Sequence, residues 1–110
     1  LARTVARNPG LFLVLAEGEE IIGTVMGTYD GRRGWVHHLA VAAARRGEGL
    51  GRLLLGELER RFAARGIGKA VLFVEGHNRE VIGFYERMGY NGYEGLILMR
   101  KPLGDNGISR

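Results

Sequence analysis

Arg45-Arg46-Gly47-Glu48-Gly49-Leu50-Gly51-Arg52 is the stretch whose residue types and spacing could do chemistry. An apolar run, Trp35-Val36-His37-His38-Leu39-Ala40-Val41, leads into it, and a helical pattern from Leu50 to Arg65 leaves it. A strand, a glycine-rich turn and a helix start, in that order, aim several backbone N–H groups at one point. The helix dipole adds positive potential there. Glycines let a phosphate reach those N–H groups with no Cβ in the way. The implied chemistry is anion binding. The stretch is not a P-loop, because no Gly-Lys-Ser or Gly-Lys-Thr follows. Its third glycine comes too early for a dinucleotide fingerprint. Taken alone, such a turn also serves simply to pack a helix close on a strand.

The rest of the chain supplies the elements that must hold this turn. Leu1 to Arg7 reads as the tail of a helix, stopped by Asn8-Pro9-Gly10. Leu11 to Glu17 is a strand, Gly18-Glu19-Glu20 turns it, and Ile21 to Tyr29 returns as a second strand. Gly23 and Gly27 inside that strand mark a bulge or the close approach of another group. Asp30-Gly31-Arg32-Arg33-Gly34 is a hairpin signal, and Trp35 to Val41 follows as a third strand. After the turn, Leu50, Leu53, Leu54, Leu58 and Phe62 recur at helical spacing, with Gly66 and Gly68 as the stop. Val71-Leu72-Phe73-Val74 reads as a buried strand parallel to Trp35–Val41, joined to it by a right-handed crossover. Arg79 to Met88 is a second helix and Gly89 its stop. Tyr90 to Tyr93 and Leu96 to Lys101 read as short strands, and Pro102 to Arg110 as a frayed tail.

Composition bounds what this domain can be. At 110 residues it is one domain with one core. The absence of cysteine excludes a disulfide framework, a cysteine metal site and a thiol nucleophile, and fits a cytoplasmic setting. No apolar run reaches the length of a membrane span and no signal peptide is visible. The chain starts at Leu1 rather than Met, which fits a trimmed N-terminus. The net charge of +4 is spread over scattered arginines without a stacking-aromatic motif. That favours a solvated basic surface, or a site for an anionic cosubstrate, over nucleic-acid binding.

Arg46-x-x-Gly49-x-Gly51 resembles the acyl-CoA pyrophosphate loop of the GNAT acetyltransferases, whose pattern is Gln/Arg-x-x-Gly-x-Gly/Ala. His38-Leu39-Ala40-Val41 is similar to that family's strand before the loop. Asn78, followed by Ile82-Gly83-Phe84-Tyr85-Glu86-Arg87-Met88-Gly89-Tyr90, is similar to its second signature. The resemblance covers Leu11 to Leu103, and two signatures in order are far more specific than either alone. It implies a small bacterial-type acetyltransferase of α+β class. The expected sheet is mixed and mostly antiparallel, with a central parallel strand pair joined by a crossover helix. Residues 1–110 then form a single GNAT-like domain that lacks most of the family's N-terminal strand and helices, and with them part of the acceptor-site wall.

The resemblance also implies a site. Backbone groups of Leu39, Ala40 and Val41 would meet the thioester. Arg46, Gly47, Glu48, Gly49, Leu50, Gly51 and Arg52 would hold the pyrophosphate of acetyl-CoA, with Arg45, Arg46 or Arg52 adding charge. Tyr85 falls on the family position that often protonates the leaving thiolate; otherwise it is a core aromatic. Asn78 would contact the pantetheine or phosphate arm, or cap the second helix, or both through different atoms. For the general base, His37 and His38 flank the thioester position on opposite faces of their strand, so only one can face the acceptor. Glu75, at the end of the parallel strand, is the other candidate, and His77 reads as a loop residue. Three scattered histidines lack ligand spacing, so no metal is expected.

The reading is an N-acetyltransferase that passes acetyl from acetyl-CoA to a primary amine, small-molecule or protein-borne, by direct attack in a ternary complex. The rival is a non-catalytic acyl-CoA-binding sensor or partner module on the same scaffold, which a turnover assay separates. These motifs fix neither the acceptor nor the choice between monomer and homodimer.

Overall fold

The structure, a computed structural model, describes residues 2–7, 11–93 and 95–104, the first of these groups by backbone alone. Five strands form one sheet in chain order: β1 (Ala2–Arg7), β2 (Phe12–Glu17), β3 (Glu20–Tyr29), β4 (Gly34–Val41) and β5 (Ala70–Val71). The first four pair antiparallel, and β5 runs parallel to β4. Helix α1 (Leu50–Ala64) makes the crossover between them, and α2 (Arg79–Arg87) follows β5. This is the α+β class with a mixed, mostly antiparallel sheet. The parallel pair stands at one edge of the described sheet.

The core is a single layer between the sheet and α1. Leu13, Leu15, Ile22 and Val25 on the strands meet Leu54, Leu55, Leu58 and Phe62 on the helix, all buried. The strand glycines set how close the two layers come. A Cβ on Gly23 would lie 2.7 Å from Leu54 Cδ1, and one on Gly27 2.7 Å from Leu58 Cδ1. One on Gly34 would lie 2.7 Å from the Phe62 ring. These glycines are therefore the seats of α1, the close approach that interior strand glycines announce.

Both helices end in the same way. Past α1, Gly66 sits at φ +78 and donates to the Ala63 carbonyl, while Ile67 donates to that of Phe62. Past α2, Gly89 sits at φ +99 and donates to Glu86, while Tyr90 donates to Tyr85. Each is a Schellman stop, with the residue after the glycine packing back on the helix. Tyr90 is therefore a helix-capping residue and not the start of a strand. Its ring lies edge-on to Tyr85 at 5.6 Å.

Three other expectations need correction. Residues 2–7 are a strand rather than a helix tail: Thr4 and Val5 are β-branched, the segment is short, and the edge of β2 gives its backbone partners. The parallel strand is only Ala70–Val71, and Phe73 is 67% exposed rather than buried. Its pairing stops at Trp35↔Val71, and no strand is formed on its other side among the described residues. In keeping with that, Leu96, Ile97, Leu98 and Met99 are exposed and form no strand. The Asn8-Pro9-Gly10 stop and most of the tail lie outside the described residues.

Candidate active site

The turn after β4 begins with a 3-10 turn at Ala43–Arg45, then passes through Gly47 at φ +83 and Gly49 at φ +80 into α1. Both glycines hold left-handed backbone that other residues adopt only with strain. Gly49 is the N-cap and offers no side-chain cap. The backbone N–H groups from Gly47 to Arg52 donate to no carbonyl among the described residues. An uncapped helix start with free N–H groups is an anion cradle. A Cβ on Gly51 would face inward at ordinary contact distance, 3.5 Å from Phe84 and 3.9 Å from Val41.

The arginines divide by task. Arg45 is spent on structure: Nη1 reaches Glu17 at 2.7 Å on β2, and Nε and Nη2 reach Glu48 at 3.0–3.1 Å. These bonds hold the Glu17 carboxyl below the usual carboxylate range, chiefly through the Arg45 hydrogen bond. Arg45 so ties the sheet to the turn. Arg46 and Arg52 are exposed at the mouth of the turn. Arg46 makes one long contact to the Val41 carbonyl at 3.4 Å, and Arg52 touches the Met88 sulfur at 3.8 Å. Their charge is available to an anion.

β4 carries a bulge just before the turn. Thr24 pairs with Ala40 but Met26 with His37, so His38 and Leu39 together stand opposite Val25. His38 takes φ +54, an uncommon conformation for a residue with a Cβ. Strand alternation would put His37 and His38 on opposite faces; the bulge cancels it, and their rings lie 6.2 Å apart. Both candidates for a base therefore stand together. Beyond the bulge, the Ala42 N–H bonds to the Ile22 carbonyl at 2.8 Å, so Val41 turns its N–H to the other edge of β4. β5 does not reach that edge. The two strands have parted, and the Val41 N–H faces the gap.

α2 follows β5 and brings Phe84 beside the start of α1. Its N-cap is Asn78, whose side-chain oxygen accepts from the Val81 N–H at 3.3 Å. The capping role is met by that oxygen, and the side-chain NH2 has no partner among the described residues. Tyr85 packs against the core, edge-on to Phe84 at 5.1 Å. Burial pushes its phenol above the usual tyrosine value. Its hydroxyl has no hydrogen-bond partner among the described residues. Glu75 is not at a strand end: it lies in the exposed connection to α2, 3.4 Å from His77. Sequence reasoning missed the Tyr90–Glu59 hydrogen bond, 2.7 Å long, which joins α2 to α1. The signal was present, since Gly89 ends the helix and the next residue must pack back. Among the described residues no cluster of three or more His, Cys, Asp or Glu could hold a metal ion.

Known proteins resemble this chain over most of its length. The family model described as "Acetyltransferase (GNAT) family" matches residues 2–90. An acetyltransferase of Sodalis glossinidius (strain morsitans) is 38% identical over 103 residues, 94% of this chain and 72% of that protein. The ribosomal-protein-S18-alanine N-acetyltransferase from Escherichia coli superposes with a TM-score of 0.71 at 25% identity. That match covers 76% of this chain and 54% of the other. A putative acetyl transferase from Pyrococcus furiosus superposes at 0.68 with 30% identity, covering 84% and 64%. The chain thus spans little more than half of the E. coli enzyme.

Proposed function

Since this chain belongs to the GNAT acetyltransferase family, we propose that it passes acetyl from acetyl-CoA to a primary amine, by direct attack within a ternary complex. The observation that carries the proposal is one junction. The N–H groups of the 47–52 turn donate to no carbonyl among the described residues, and the Val41 N–H shortly before that turn faces the gap where β4 and β5 part.

Each group then has a task. The turn N–H groups hold the pyrophosphate, with Arg46 and Arg52 adding charge and the Asn78 NH2 steadying the pantetheine arm. The Val41 N–H points at the thioester carbonyl and stabilises the charge that develops on its oxygen. His37 or His38 takes the proton of the acceptor ammonium. Tyr85 gives its proton to the sulfur as the carbon–sulfur bond breaks. A phenol whose burial raises its pKa stays protonated at neutral pH, as an acid must. No bond to the protein forms.

The test is an acceptor screen with acetyl-CoA, following free thiol. Thiol release that depends on an amine supports the reading. Tight acetyl-CoA binding without transfer to any amine rejects it in favour of a binding module. A parallel calorimetric titration should show CoA binding at least about tenfold tighter than phosphate-free pantetheine, because charge-assisted bonds to phosphate anchor it. Equal affinities would remove the cradle from the proposal.

A further inference from the structure

Thr28 and His37 meet on the sheet face away from α1. Thr28 stands opposite Trp35 and His37 opposite Met26, so they are diagonal neighbours across the β3–β4 pair. Their Oγ1 and Nε2 atoms are 2.9 Å apart. His37 Nδ1 has no hydrogen-bond partner among the described residues. The other titratable ring here is His38, 6.2 Å away. The nearest charges on the adjoining turn are engaged: Asp30 accepts from the Trp35 indole, and the Arg33 guanidinium lies over the Trp35 ring at 5.4 Å.

A neutral imidazole carries one N–H and one lone pair, and the partner of one nitrogen decides which it is. If the Thr28 hydroxyl donated to Nε2, the proton would sit on Nδ1, and no lone pair would face outward. If the Thr28 oxygen accepts from Nε2–H, Nδ1 is the base. We propose that Thr28 is a positioning residue whose hydroxyl oxygen accepts the His37 Nε2–H and so turns the Nδ1 lone pair to the acceptor amine. The inference rests on the reading of this site as an amine acetyltransferase. In the step it serves, an N–H bond of the acceptor ammonium breaks, its proton goes to Nδ1, and the freed lone pair attacks the thioester carbon. The imidazolium keeps its Nε2–H on Thr28, and that bond becomes charge-assisted and stronger. The Thr28 hydroxyl proton faces solvent, since the residue is exposed.

Thr28→Val keeps the β-branched shape on a strand and removes only the acceptor. Thr28→Ser keeps the hydroxyl. Side-chain nitrogen-15 NMR of His37 at pH 8 reads the tautomer without turnover, and steady-state rates read the chemistry. The wild type should carry its proton on Nε2. The valine variant should lose that fixed tautomer and about tenfold in kcat, with acceptor KM within about twofold. The serine variant should restore both. A wild-type proton on Nδ1, or a valine variant unchanged in tautomer and rate, overturns the proposal. Full activity in His37→Gln also overturns it, by removing His37 from the reaction. Should the wild type acetylate no amine, the acetyltransferase reading fails by itself, and the tautomer still decides whether Thr28 orients His37.

Discussion

At the scale of single residues, Tyr85 gives the sharpest expectation. Its ring packs on the core and against Tyr90, while its hydroxyl has no partner among the described residues. Tyr85→Phe should therefore leave the melting temperature within about 2 °C, since no hydrogen bond is lost. Affinity for acetyl-CoA should hold, because a contact to the developing thiolate contributes little to ground-state binding. Turnover should fall roughly ten- to ten-thousand-fold, the range for removing a general acid. A variant of full activity would return Tyr85 to the core. The two turn glycines separate in the same spirit. Gly49→Ala places a Cβ at φ +80 and should cost about 1–2 kcal/mol of stability. Gly51→Ala meets only ordinary contacts at 3.5 Å and beyond, and should fold as well as the wild type. Chemical denaturation of the pair checks both, and equal losses would mean that the left-handed φ does not explain Gly49.

At the scale of elements, the β3–β4 turn makes its own report. Asp30 accepts from the Trp35 indole N–H at 2.8 Å and from the backbone of Arg32 and Arg33, each also at 2.8 Å. These donors, the indole first, hold its carboxyl well below the usual carboxylate range. A carboxyl lowered in the fold contributes stability that is present above about pH 4 and lost as the pH falls through its folded value. Trp35 is the one tryptophan, so its emission reads that step. Emission should stay level from pH 7 to about 4 and move only below, and the acid step should vanish in Asp30→Ala. A transition centred near pH 4 would contradict the turn geometry. This hairpin was legible in the sequence because Asp30-Gly31 lies between alternating strands, a local signal. So were α1 and α2, whose apolar spacing and terminal glycines are local too. The bulge at His38 was not. Nothing in His37-His38-Leu39 marks it, because it arises from the register between β3 and β4. The Leu96–Lys101 pattern misled for the converse reason: an apolar run forms a strand only if an edge receives it, and β5 pairs over just two residues.

At the scale of the whole molecule, α1 and α2 lie on one face of the sheet and the Thr28–His37 pair on the other. β4 and β5 pair only as far as Trp35↔Val71. Tyr90, just past α2, ties that helix to α1 by donating to Glu59 at 2.7 Å. Burial first, and then the Glu59 carboxylate, push the Tyr90 phenol far above the usual tyrosine value. A phenol raised in the folded state contributes stability that is complete below about pH 10, its unfolded value, and is lost as the pH rises through the folded value. Tyr90→Phe keeps the ring on Tyr85 but removes the bond to Glu59. At pH 7 it should lose about 1 kcal/mol, or roughly 4–8 °C in melting temperature. Between about pH 10 and 11.5 the wild type loses its advantage while the variant has none to lose, so the two unfolding curves should converge. Urea titrations of both proteins across that window measure the gap directly. A gap that stayed constant through pH 11.5 would mean that the Tyr90 phenol titrates alike in the folded and unfolded chains, and that α2 is held against α1 by packing alone.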